Sequence, residues 1–128
     1  MQVTLTAPTS IPVSKTKALA LNMNVYRNAH FQSLNKAKVN FKEHMRSQIE
    51  PLPTMQNIAV RYRLFVGSKR LCDVTNVCCV VDKFFMDALV EMGKLPDDNY
   101  EHLKYISYEF GGYEKGNPRV EIIIEERQ

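Results

Sequence analysis

The chain has 128 residues, 45% of them hydrophobic, a net charge of +3 and a pI near 8.8. That is one domain's worth of chain, with enough apolar content for a single core and too much for a disordered polymer. No apolar run approaches the roughly 20 residues that a membrane span needs, and the opening MQVTLTAPTSIPVSK lacks the basic start and apolar centre of a secretion signal.

Gln2 to Thr6 alternates as a short strand, with Val3 and Leu5 on one face. Pro8 and Pro12 then limit regular structure, so Ala7 to Lys17 reads as a bend or edge segment, followed by a short extended piece from Ala18 to Leu21. Residues 21–31, LNMNVYRNAHF, read as a polar loop carrying Tyr26, Arg27 and His30. Arginine and asparagine donate to phosphate oxygens and tyrosine stacks, so such a loop suits a nucleic-acid backbone; asparagines that simply serve turns are the plain alternative.

Ser33 to Ile49 reads as a helix with Ser33 as N-cap. Leu34, Ala37, Phe41, Met45 and Ile49 form its apolar stripe, and Pro51 and Pro53 end it. Asn57 to Val66 is the clearest strand, with Ile58, Val60, Tyr62, Leu64 and Val66 opposite Ala59, Arg61, Arg63 and Phe65. Gly67-Ser68 turns the chain, and Lys69-Arg70 leads to Asp73.

A second helix follows, spanning Asn76 to Met92. Val77, Val80, Val81, Phe84, Phe85, Ala88, Leu89 and Met92 recur at three- and four-residue steps. Asn76, Lys83 and Asp87 fall within roughly 40° of one another at about 100° per residue, on one polar face. Thr75 or Asp73 can cap the first turn; Gly93 stops the helix and Pro96 prevents its resumption. Asp97-Asp98 follow. Lys104 to Phe110 and Arg119 to Glu125 read as strands around a turn region from Gly111 to Pro118, which predicts an antiparallel hairpin with a long loop. The order β-α-β-α-β-β implies a single α+β domain over residues 1–128, a small mixed sheet packed on two main helices.

Charge is uneven along the chain. Residues 15–70 hold eleven Lys/Arg (Lys15, Lys17, Arg27, Lys36, Lys38, Lys42, Arg46, Arg61, Arg63, Lys69, Arg70) against Glu43 and Glu50; the other acids begin at Asp73. A basic half joined to an acidic half suits a protein that grips phosphates and sets carboxylates beside them, though an unevenly charged solvated surface reads the same way. The three cysteines, two adjacent at Cys78-Cys79, form no disulfide framework, fit a reducing cytoplasm and match no zinc spacing.

The stretches DVTN and DKFFMDALVEMGKLPDDN resemble the signature of RusA-type Holliday junction resolvases. In words, that signature is Asp-x-Asp-Asn, a lysine a few residues on, Asp-Ala-Leu, and a later Asp-Asp pair. Asp73 and Asn76 match its opening, Lys83 its lysine, Asp87-Ala88-Leu89 its Asp-Ala-Leu and Asp97-Asp98 its end; the register from Lys83 to Asp98 needs no gap. There are two departures. Thr75 stands where the family has its second aspartate, and about four extra residues, one helical turn, separate Asn76 from Lys83. Asp82 lies on another azimuth of the helix and does not replace the lost carboxylate.

The resemblance implies a Mg²⁺-dependent (Mn²⁺ as a substitute) endodeoxyribonuclease. It would resolve four-way junctions and related branched DNA by paired nicks in DNA recombination and repair, in a bacterial or bacteriophage-infected host cytoplasm. It implies Asp73, Asp97 and Asp98 as metal ligands, with Asp73, Lys83 and Asp98 catalytic. Arg27, Lys69 and Arg70 are expected on the DNA. Thr75, Asn76 and Asp87 are supporting groups, Asp87 orienting Lys83 one turn away. Thr75 motivates an alternative, a branched-DNA-binding protein with impaired catalysis; a non-enzymatic protein in which Asp97-Asp98 only end a turn is a third reading. Geometry predicts a homodimer. A 17-residue helix is about 25 Å long, whereas the six residues from Gly93 to Asp98 reach back at most about 20 Å. Asp98 of a twofold-related copy is therefore better placed to meet Asp73 than the chain's own.

Overall fold

A computed structural model describes residues 1–127. Its elements are β1 (Gln2–Ala7), β2 (Ser10–Pro12), β3 (Ala18–Ala20), α1 (Met23–Asn28), α2 (Phe31–Ile49), β4 (Ile58–Val66), α3 (Val74–Glu91), β5 (Leu103–Tyr113) and β6 (Arg119–Glu126). The main sheet has the strand order β1-β6-β4-β5 and is mixed: β4 and β5 run parallel, while β6 is antiparallel to both β1 and β4. β2 and β3 form a separate two-stranded ribbon. The α+β class, the small mixed sheet and the two long helices agree with the sequence pattern. No helix among the described residues is long and apolar enough to cross a membrane.

The alternation in β4 explains the layering. Ile58, Val60, Tyr62 and Leu64 are buried toward the helices, with Val120, Ile122 and Ile124 of β6 beside them. From α3 come Val80, Val81, Phe84, Phe85, Ala88 and Leu89, and from α2 come Ala37, Phe41, Met45 and Ile49. The Phe41 and Phe84 rings meet edge to face at 5.7 Å, joining the two helices. Truncating either phenylalanine would cost roughly 3–5 kcal/mol in cavity and lost transfer energy. The opposite face of the sheet is uncovered and bears Arg61, Arg63, Glu109, Glu121 and Arg119 instead. One free edge of the sheet is blunted: the Gln48 side-chain amide donates to Thr6 O (2.9 Å) and accepts from Thr6 N (2.8 Å), satisfying backbone groups of β1.

Four local expectations are corrected. Residues 21–31 are not all loop. Asn22 accepts from Val25 N (2.9 Å) as an N-cap, and the α1 turn is held by Tyr26 packing 6.4 Å from the Phe84 ring. Ser33 is not the cap of α2; the His30 ring Nδ1 accepts from Gln32 N, so the helix starts at Phe31. α3 begins two residues earlier than its apolar stripe suggests, with Asp73 in the N-cap position.

The fourth correction concerns the end of the chain. β5 and β6 do not pair as a hairpin, because β4 lies between them. α3 carries the chain back across the helix layer so that β5 runs parallel to β4, and residues 114–118 then step over the end of β4. Glu114 N donates to Val66 O (2.9 Å) and Gly116 N to Gly67 O (3.0 Å). The step spans about two strand spacings, near 10 Å, which five residues cover easily. It also demands a bare Cα at Gly67, where a Cβ would stand 2.7 Å from the Pro118 ring. At the other end of α3, Gly93 (φ 75°) closes the helix as expected, with Lys94 N donating to Leu89 O and Gly93 N to Val90 O.

Candidate functional site

The loop from Gly67 to Cys72 delivers Asp73 to the first turn of α3. Asp73 has extended backbone angles (φ −82°, ψ 126°), is exposed, and its side chain makes no capping hydrogen bond. Its carboxylate is therefore not consumed by the helix that it precedes. It lies where two clefts meet. One, of about 550 Å³, is lined by Asn22, Asn24, Ser68, Arg70, Asp73 and Asn76 among others. The second, of about 480 Å³, adds Arg27 and Thr75 to Asp73 and Asn76. Arg27 from α1 and Arg70 from the β4–α3 loop thus flank the same carboxylate, although they are distant in sequence. Neither arginine, nor Lys69, has an ion-pair partner among the described residues.

The other expected ligands are not here. Asp97 and Asp98 follow the far end of α3, whose 18 residues measure about 27 Å. There they close a turn: Asp97 accepts from Asp98 N (2.8 Å) and from the Asn99 amide (3.0 Å). These bonds, led by that backbone N–H, hold the Asp97 carboxyl below the usual aspartate range. Asp98 is pushed the other way, first by partial burial and then by its hydrogen bond with Asp97. Among the described residues, no three His, Cys, Asp or Glu side chains are grouped so as to hold a metal ion. Asp73 and the Asp97-Asp98 pair thus stand at opposite ends of α3.

Lys83 is exposed, ten residues into α3 from Asp73 and so about 15 Å along the axis. The expected pairing of Asp87 with Lys83 is not formed. Asp87 instead holds Lys38 of α2 at 3.3 Å, and one turn further on Glu91 holds Lys42 at 2.9 Å. Both pairs staple α2 to α3 at their rim. Three groups around Asp73 were not singled out from sequence: Asn22, Asn24 and Ser68. The Asn-rich composition of 21–31 was their available signal, but only the fold brings that segment against residues 68–76.

Asp82 turns out to be structural. It accepts from the Tyr62 hydroxyl and from the Tyr108 hydroxyl, each at 2.7 Å. Tyr62 is fully buried, and burial together with the Asp82 carboxylate pushes its phenol well above the usual range; Tyr108 is raised for the same reasons. Comparison with models of known protein families and with curated proteins finds no match for this chain.

Proposed function

We propose that the protein is a divalent-metal-dependent endonuclease of branched DNA that works as a homodimer, as the resemblance to RusA-type resolvases implies. The observation that carries this reading is Asp73, an uncommitted carboxylate where a cleft lined by Arg70 meets a cleft lined by Arg27, neither arginine having an ion-pair partner among the described residues. A DNA backbone running across both clefts would meet guanidinium donors from Arg70 in one and Arg27 in the other, which fix its position without reading sequence. Asn76, one turn into α3, lines both clefts and can donate to a phosphate oxygen. Lys83 lies further along α3, where its ammonium can meet a second phosphate of a strand following the helix.

The second carboxylate source is the Asp97-Asp98 pair of another copy, related by a twofold axis that sets the two α3 helices antiparallel. A divalent cation held there would supply an activated water and offset developing phosphorane charge. Twofold symmetry also matches a four-way junction, which needs two symmetric nicks.

The deciding experiment incubates purified protein with a four-way junction and a matching linear duplex, with Mg²⁺ and with EDTA. The expected result is paired nicking of the junction only, with Mg²⁺ only, by a species of twice the 14.8 kDa chain mass in light scattering. A strict monomer that makes paired cuts would sink the shared site. Thr75, in place of an aspartate, favours one competing reading, a branched-DNA binder with impaired catalysis. Salt-sensitive junction binding without cleavage in Mg²⁺ or Mn²⁺ would select it. Absence of any DNA binding would leave Asp97-Asp98 as turn closers in a non-enzymatic protein.

A further inference from the structure

Immediately beside the Asp73 cleft is a third cavity, of about 320 Å³, whose walls differ in kind. Leu71, Phe110 and Tyr113 face it, with Lys69 and Arg70 at its rim, and no acidic residue lines it. It shares Arg70, Leu71 and Cys72 with the Asp73 cleft, so the two adjoin at this loop. Leu71 is 96% exposed, Phe110 60% and Tyr113 46%. A leucine that exposed adds nothing to the core, and it sits in a loop between a cation pair and the candidate catalytic carboxylate. Single exposed apolar side chains are ordinary; three around one concavity are a patch with a use.

Charge complementarity decides what fits. Lys69 reaches to 6.0 Å from the Tyr113 ring centroid, at the outer limit of cation–π range, and neither Lys69 nor Arg70 is neutralised by an acid among the described residues. Aromatic faces combined with unpaired cations are what an unstacked nucleotide requires: the rings take the base and the cations take its phosphate. An apolar side chain projecting beside them is the means by which proteins wedge open a base step.

We infer that Leu71, Phe110 and Tyr113 form a base-stacking subsite for a nucleobase that has left the duplex stack, with Lys69 and Arg70 on its phosphate. This rests on the reading of the Asp73 cleft as a DNA site and adds a source of structure selectivity. Continuous duplex keeps its bases stacked and cannot fill the subsite. A branch point or bulge offers an unstacked base at little cost. Cleft and subsite together would then favour a phosphate next to a branch, without any base-edge readout.

The test uses the full chain in EDTA, so that no cleavage is needed. Its probes are a duplex carrying one bulged nucleotide and the fully paired duplex of the same sequence. Wild-type protein should bind the bulged probe more tightly. Leu71→Ser and Phe110→Ser should each lose that preference by roughly 5- to 150-fold, the range for one stacking contact. Their affinity for the paired duplex and its salt dependence should be unchanged. Leu71→Ser is the safer variant, since its side chain is outside the core; a thermal melt checks Phe110→Ser. No preference in the wild type, or a preference that survives both substitutions, would overturn the subsite. Bulge preference without cleavage in Mg²⁺ would refute the nuclease and leave the subsite standing, and junction cleavage without bulge preference would do the reverse.

Discussion

Two cationic regions of this molecule contrast. On the open face of the sheet, Arg61 and Arg63 both bind Glu109, at 3.1 and 3.2 Å, and Arg119 binds Glu114 at 2.7 Å and Glu121 at 3.2 Å. Arg119 also lies 4.1 Å over the Phe65 ring. Around Asp73, Arg27, Lys69 and Arg70 have no such partners among the described residues. Both regions count equally toward a sequence's basic character, but only the second has charge to offer a polyanion. The sheet face is a self-neutralised lattice of ion pairs, each worth little in water. The loop and helix edge retains its field, and clefts concentrate that field.

The largest effect that can break this contrast is chemical. Asp73→Asn should lower junction cleavage by about 10²- to 10³-fold, the scale of one transition-state electrostatic contact, while binding is kept because the flanking cations remain. A gel assay in which Asp73→Asn cuts normally would remove the aspartate from the site.

Next in size is affinity. Neutralising Lys69 and Arg70 together should reduce the slope of log affinity against log salt by about 1.8, from two phosphate contacts at about 0.9 each. The matched pair Arg61→Gln/Arg63→Gln should leave that slope alone. Equal losses in both double variants would erase the distinction between the regions.

The smallest effect is on the sheet face and concerns pH. The Arg61 guanidinium, followed by the Ser107 hydroxyl and Arg63, holds the Glu109 carboxyl below its ordinary value of 4.5. A carboxylate depressed on folding adds stability above 4.5, and that contribution disappears as pH falls through its lower folded value. Glu109→Gln should therefore flatten the acid limb of the stability profile slightly, and by freeing Arg61 and Arg63 it should raise DNA affinity at neutral pH slightly. Urea melts at a series of pH values would detect it, and an unchanged acid limb would count against the pairing.

These regions also show what could be read ahead of the fold. β4 and α3 were plain because their periods, two and near 3.6, run for nine and eighteen residues without interruption. The clustering of Arg27, Arg70 and Asp73 was half legible: the residue types were evident, their meeting was not. The Lys83–Asp87 pair misled because spacing along one helix says nothing of a competing cation on another, and Lys38 was that competitor. The β5–β6 hairpin misled for a related reason. Local turn chemistry allows two strands to pair but cannot reveal that a third, fixed by a parallel crossover, already occupies the place between them. The α1 turn was hidden by asparagines, which suit loops and helix caps equally well.

The tie between Asp82 and the two tyrosines has a mechanical consequence. A helix lying on a sheet through aliphatic and aromatic groups alone is positioned by shape, without directional bonds. Asp82 receives hydroxyls from two different strands, Tyr62 in β4 and Tyr108 in β5, so it fixes α3 at two points at once. It acts as an index pin. A rotation by one residue, about 100°, would withdraw Asp82 from both hydroxyls and strand the wholly buried Tyr62 phenol without a partner, at about 1–3 kcal/mol. The azimuth of Asn76 and Lys83, and the height at which each end of the helix stands above the sheet, are thereby set by a carboxylate roughly 100–120° around the rod from them.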